Sequence, residues 1–228
     1  MNLLFAILIV LSILLGLWLD ALGPVWSPLL VSAEVTALLV VISWRSSWQV
    51  RSSFILCLII ATLGEMMLSL GFGWYDYRLH DIPWFVPPGH VLLYALGDWL
   101  STRLPERGLR MVLPVAVLTT ALLWWQGMDQ LSVFLMVMYL ACVRWGPNPR
   151  LYHTMFVLAL LLELWGTSLG NWAWRSIVPG VHWSTLNPPF AAGAGYCVLD
   201  WLVGWLMTRE SLIRLAKARF GSRGNLLD

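Results

Sequence analysis

Five glutamates and seven aspartates are all the acids in this 228-residue chain, and several of them fall where acids are costly. Glu34, Glu65 and Glu163 each lie within a long apolar run, toward one end of it, while Asp98 and Asp200 lie nearer the middle of theirs. No Lys or Arg shares the core of those runs. A carboxylate in hydrocarbon costs at least about 2.5 kcal/mol on insertion scales, so each acid is expected to be neutral, cation-bound or satisfied by donors inside a bundle. A desolvated carboxyl that still holds its proton can act as a general acid. Glu65 and Glu163 are therefore the expected catalytic pair, largely protonated or sharing one proton. Glu34, Asp98 and Asp200 are assigned structural or relay roles, since Asp98 and Asp200 are each followed by a Trp-Leu pair that suits packing. The plainer alternative is that each Glu hydrogen-bonds a neighbouring helix through Trp, Ser or Thr and holds the helices in register.

Two aromatic loops follow the Glu65 and Glu163 runs, GFGWYDYRLHDIPWFVPPGH and GNWAWRSIVPGVHWSTLNPP. An aromatic belt at the headgroup level accounts for their Trp and Tyr, because one edge of each ring is apolar and the other wet. A belt does not require the His, Asp and repeated Pro-Pro, which suit rigid loops packed over a cavity. The expected substrate-binding residues are Trp74, Asp76, Tyr77, Trp84 and His90 from the first loop. Trp172, Trp174, His182, Trp183 and Asn187 are expected from the second. His80, His90 and His182 share one face, yet no short metal motif joins them to Asp76, Asp81 or Glu65, so neither metal nor any other cofactor is expected. Cys57, Cys142 and Cys197 stand singly in separate runs and suit apolar packing. No phosphate-binding GxxxxGK[ST] and no GxSxG elbow occurs. Gly193 and Gly195, among alanines, are expected to permit close helix packing.

The elements carrying these residues follow from composition. Hydrophobic residues make up 59% of the chain and charged ones 11%, too few for a soluble globular surface. The net charge of +2 gives no nucleic-acid footprint. The fold class expected is all-α: a polytopic integral membrane protein with about eight transmembrane helices, over 2-20, 27-44, 52-71, 89-103, 110-126, 129-144, 151-170 and 190-208. The first run is read as a membrane helix and not a cleaved secretion signal, for want of a positive segment before it. Arg45, Arg51, Arg103, Arg107, Arg110, Arg144, Arg150 and the cations from Arg209 onward fall on one side, leaving Arg78 and Arg175 on the other. Both termini are thus expected in the cytoplasm of a cell inner (plasma) membrane. Residues 1-208 form one transmembrane domain, and 209-228 a basic tail suited to an interfacial helix on anionic lipid.

The chain reads as a duplication, with repeats over about 1-103 and 104-208. Arg45 and Arg51 match Arg144 and Arg150, Glu65 and Trp74 match Glu163 and Trp172, and Pro87-Pro88 answers Pro188-Pro189. Asp98-Trp99-Leu100 answers Asp200-Trp201-Leu202. Four spans per repeat set the halves parallel, related by an axis near the membrane normal, with a site between them facing one side. The reading that follows is an enzyme doing acid/base chemistry on an amphiphilic or isoprenoid-like lipid in an outward-facing cavity. Its partners would be the lipid bilayer, a hydrophobic small molecule and, in one reading, another membrane protein; no nucleic acid is expected. A proton- or cation-coupled transporter is the first alternative, since unpaired intramembrane acids also build relays. A membrane assembly or scaffold subunit is the second.

Overall fold

A computed structural model describes residues 1–224, with side chains as far as Arg209. The amphipathic face expected over the tail depends on side chains outside the described residues. Eight helices run through the described chain: α1 Leu3–Leu22, α2 Ser27–Trp44, α3 Trp48–Glu65, α4 Val86–Ser101, α5 Glu106–Trp125, α6 Leu131–Trp145, α7 Pro149–Leu169 and α8 Gly193–Gly224. A π-helical turn, Met66–Gly71, prolongs α3. Two three-residue strands, β1 Tyr75–Tyr77 and β2 Trp172–Trp174, complete the fold. The chain is all-helical apart from this ribbon, and five of its helical segments are long and apolar enough to cross a membrane: Leu3–Leu22, Ser27–Trp44, Trp48–Gly71, Glu106–Trp125 and Pro149–Leu169. Helix α6 is apolar but only 15 residues long, about 22 Å at 1.5 Å per residue. Rings and aliphatic chains such as Leu15, Leu29, Ile59, Leu118 and Leu161 stand exposed along these helices, as on a protein embedded in lipid.

Helix ends explain where the elements stop. Asn2, Ser47 and Asn148 cap α1, α3 and α7 by accepting from the backbone N–H three residues on. The C-terminal carbonyls of α2 accept from the Arg51 guanidinium, which reaches the Ser43, Trp44 and Ser46 oxygens. Arg150 does the same at the end of α4, on Ser101 and Leu104. Asp129 is fully buried before α6, where it accepts from the Ser132 N–H and hydroxyl and from the Phe190 N–H. That carboxylate pins the start of α6 to the segment entering α8.

At the centre, α3 packs on α4 and α8, and α7 packs on α8 and α4. Small residues set two of these approaches. A Cβ on Gly97 of α4 would overlap Met155 of α7, and one on Gly193 of α8 would overlap the Phe156 backbone of α7. The outer helices are less regular: α5 lies on α6 and α7, whereas α1 lies on α2, α4 and α7, with no extended contact to α3 among the described residues.

Candidate functional site

The two loops meet. β1 and β2 pair antiparallel, Tyr75 opposite Trp174 and Tyr77 opposite Trp172. Because side chains alternate along a strand, the two tyrosines share one face with the two tryptophans, and Asp76 and Ala173 share the other. The ribbon's end is fastened to α1 by Asp20, which is buried, accepts from Asn171 Nδ2 at 2.7 Å and pairs with Arg78 at 3.1 Å. The π-helical turn directly after Glu65 closes with Phe72 N–H to Met67 O and leads the chain into β1; such turns interrupt helices where a side chain must be re-aimed.

The aromatic face of the ribbon grips both glutamates. Tyr75 and Tyr77 donate their hydroxyls to Glu65 Oε2, at 2.7 and 2.6 Å. Trp172 and Trp174 donate their indole N–H groups to Glu163 Oε2, at 2.8 and 3.0 Å. Each carboxyl is therefore held by the loop that follows its own helix. Both are buried, Glu65 8% and Glu163 6% exposed. Burial, and then the Glu65 charge, push the Tyr75 and Tyr77 phenols well above their ordinary range, so both stay O–H donors.

The second oxygens differ. Glu65 Oε1 lies 3.4 Å from His90 Nε2, and His90 Nδ1 lies 2.9 Å from the Val86 carbonyl. A carbonyl only accepts, so Nδ1 carries a proton and Nε2 turns its remaining site to Glu65. Glu163 Oε1 accepts from Tyr196 at 3.4 Å. The Tyr196 ring stacks on His90, with centroids 4.9 Å apart and planes 5° from parallel. A chain of contacts thus runs from Glu65 through His90 and Tyr196 to Glu163.

Both glutamates line one cavity of about 550 Å³, together with Trp74, Tyr75, Tyr77, His90, Trp172, Trp174 and Tyr196. Apart from Ser12 of α1 and the glycines, its remaining walls are apolar side chains, from α1, α2, α3 and its π turn, α4, α6, α7 and α8. Three glycines leave it open: a Cβ on Gly64, Gly89 or Gly195 would meet nothing within 4 Å. Gly195 thus lines the cavity, and close packing falls to Gly193 alone. The exposed lining residues are Leu63, Met67, Phe72, Phe134 and Leu202, each at least 41% exposed. They come from α3 and its π turn, α6 and α8, while the lining residues of α1, α2, α4 and α7 are covered. Helices α3 and α6 make no extended contact with each other among the described residues, so the cavity opens sideways between two apolar helix faces.

Other residues expected at the site lie elsewhere. Asp76 turns away on the outer face of β1, where it meets His80 at 2.9 Å and Arg175 at 3.6 Å. Trp84 and His182 are exposed and do not line the cavity. Trp183 packs against Phe134 and does not itself line the cavity. Asn187 accepts from the Trp174 N–H at 2.9 Å and so sets the strand, not the cavity wall. Glu34 is exposed on α2 and accepts from Ser12. Asp98 lines a separate cavity of about 530 Å³ with Arg45, Ser53 and Tyr94, at the opposite end of α3 and α4. Asp200 is buried, and among the described residues neither of its carboxyl oxygens has a hydrogen-bond partner. No three His, Cys, Asp or Glu side chains gather in a group that could hold a metal among the described residues. Tyr196 was not anticipated; its one signal is that it stands as far from Tyr94 as Asp200 does from Asp98.

No protein-family model, curated protein or solved structure matches this chain, so its function has to be argued from the site.

Proposed function

We propose that this protein is an integral-membrane enzyme performing acid/base chemistry on an amphiphilic or isoprenoid-like lipid. The observation carrying this reading is that Glu65 and Glu163, buried and without a Lys or Arg partner, face one apolar cavity that opens sideways. A general acid or base needs a group that exchanges protons inside a water-poor site. Glu65 suits that role, because rotating hydroxyls and an imidazole surround it. Glu163 Oε2 is fixed by two indoles, which donate and never accept, and suits stabilisation of positive charge developing on the substrate. Trp74, Trp172 and Trp174 would bind the apolar body, and His90 would exchange the proton. Protonation of a double bond, hydration and isomerisation all fit this set.

We further propose that all eight helices cross an inner (plasma) membrane, with both termini cytoplasmic and the ribbon outside, on the strength of the Arg and Lys distribution. A duplication is supported by the reciprocal packing of α3, α4, α7 and α8, by the pairing of β1 with β2, and by the two loop histidines. His80 and His182 are the non-glycine residues with positive φ among the described residues, at 64° and 58°, and are spaced as Asp98 and Asp200 are. The transporter reading keeps one observation in its favour, the unpartnered Asp200 at the bundle centre. Untargeted lipid analysis of cells with and without the protein, and with Glu65→Gln plus Glu163→Gln, tests the choice. An accumulating precursor in both the deletion and the double variant is expected. Unchanged lipids with altered uptake of a small solute would favour transport instead.

A further inference from the structure

The donors around the two acids are already engaged. The Tyr75 and Tyr77 hydroxyls go to Glu65, and the Trp172 and Trp174 indoles and the Tyr196 hydroxyl go to Glu163. His90 Nδ1 is held by Val86 O, and Ser12, the one serine on the wall, donates to Glu34. Among the described residues no Lys or Arg lines the cavity. What faces it with lone pairs to spare is Oε1 of Glu65 and Oε1 of Glu163, whose nearest polar partners stand at 3.4 Å. A ligand headgroup brought here finds two carboxyls and, among the described residues, no cation; the Trp74 indole is the one lining side-chain N–H that no hydrogen bond engages.

We infer that the cavity selects an amphiphile whose polar end is a hydrogen-bond donor, a hydroxyl or an ammonium group, and turns away lipids with phosphate or carboxylate heads. This rests on the reading of the cavity as a substrate site and narrows the substrate class. A hydroxyl or ammonium group brought to either Oε1 atom donates to a carboxyl oxygen whose nearest partner stands at 3.4 Å. A phosphate there would be desolvated beside two acids with no Lys or Arg among the described residues to neutralise it, and an unpaired buried anion is strongly disfavoured. The alkyl chain would lie against Leu63, Met67 and Phe134, along the open side toward lipid.

Three probes with one chain length separate the classes: dodecanol, dodecylamine and dodecyl phosphate, titrated into the purified full-length protein in a nonionic detergent. Tryptophan emission from the cavity wall reports binding. Saturable changes with dodecanol and dodecylamine at concentrations about tenfold or more below dodecyl phosphate are expected. The same changes should vanish in Gly195→Leu, whose added side chain fills the cavity without meeting a wall at its Cβ; Gly89→Leu serves the same purpose should the first variant not fold. Dodecyl phosphate binding less than tenfold weaker than dodecanol, or unchanged dodecanol binding in a folded filling variant, overturns the inference. Selective dodecanol binding alongside a wild-type lipid profile in the double Glu variant would overturn the enzymatic reading and leave this one standing.

Discussion

Glu65 near the end of α3 and Glu163 in α7 are both buried acids held by the strand that follows, and the difference between them is in their donors. Each follows the same plan: an acid near the end of an apolar helix, a turn, then a short strand presenting two aromatic donors on one face. Around Glu65 the donors are phenols and the next neighbour is an imidazole; around Glu163 they are indoles and the next neighbour is a phenol. A phenol or imidazole can pass a proton on, and an indole N–H cannot. Under the proposed function, two carboxyls of similar burial would take different tasks from their surroundings, as paired acid and base groups do elsewhere.

Substitutions that exchange the two environments test this division. Glu65→Gln should lower turnover of the accumulating lipid by about 100-fold or more, the usual worth of a general acid or base. Glu163→Gln retains an oxygen for the two indoles and should lower it by less, about tenfold. Equal losses would mean that the two acids act as one unit. Trp172→Phe removes a donor from a buried carboxyl and a ring that packs over Gly166. It should cost about 2 to 3 kcal/mol of stability, measured by thermal unfolding in detergent. Tyr77→Phe, which leaves Tyr75 and His90 facing Glu65, should cost about 1 kcal/mol.

Two smaller contrasts sharpen the same comparison. Gly193→Ala drives a methyl into the Phe156 backbone and should destabilise by about 1 to 3 kcal/mol, whereas Gly195→Ala, facing the cavity, should change unfolding little. His182→Gly relieves a left-handed backbone and should stabilise by up to about 1 kcal/mol. His80→Gly should gain less, because His80 also holds Asp76.

The helices were legible because apolar runs bounded by Gly, Pro and Arg leave few choices in hydrocarbon. Seven helices, α3 together with its π turn, lie within about four residues of the runs read from sequence, whereas α8 continues to Gly224, past the expected end at 208; α4 begins at Val86 where the run begins at residue 89, since Pro87 and Pro88 are accommodated in the first turn. The ribbon was not legible. Tyr75-Asp76-Tyr77 is three residues long, and its partner lies in the other loop, so only the pairing reveals which aromatic faces inward. That is why Asp76, Trp84 and His182 looked like site residues and stand outside, and why Tyr75 and Tyr196 belong to the cavity. Nothing local marks Gly64, Gly89 and Gly195 as the residues that keep the cavity open, since a glycine packed against a helix and one facing a void read the same in sequence.

Labelling with dicyclohexylcarbodiimide, an apolar reagent that adds to protonated carboxyls, addresses the pair directly when each adduct is located by peptide mass spectrometry. An adduct on one or both of these glutamates is expected, and dodecanol should slow its formation. Absence of an adduct on both glutamates, or labelling that dodecanol does not slow, would contradict two buried acids sharing one lipid-accessible cavity.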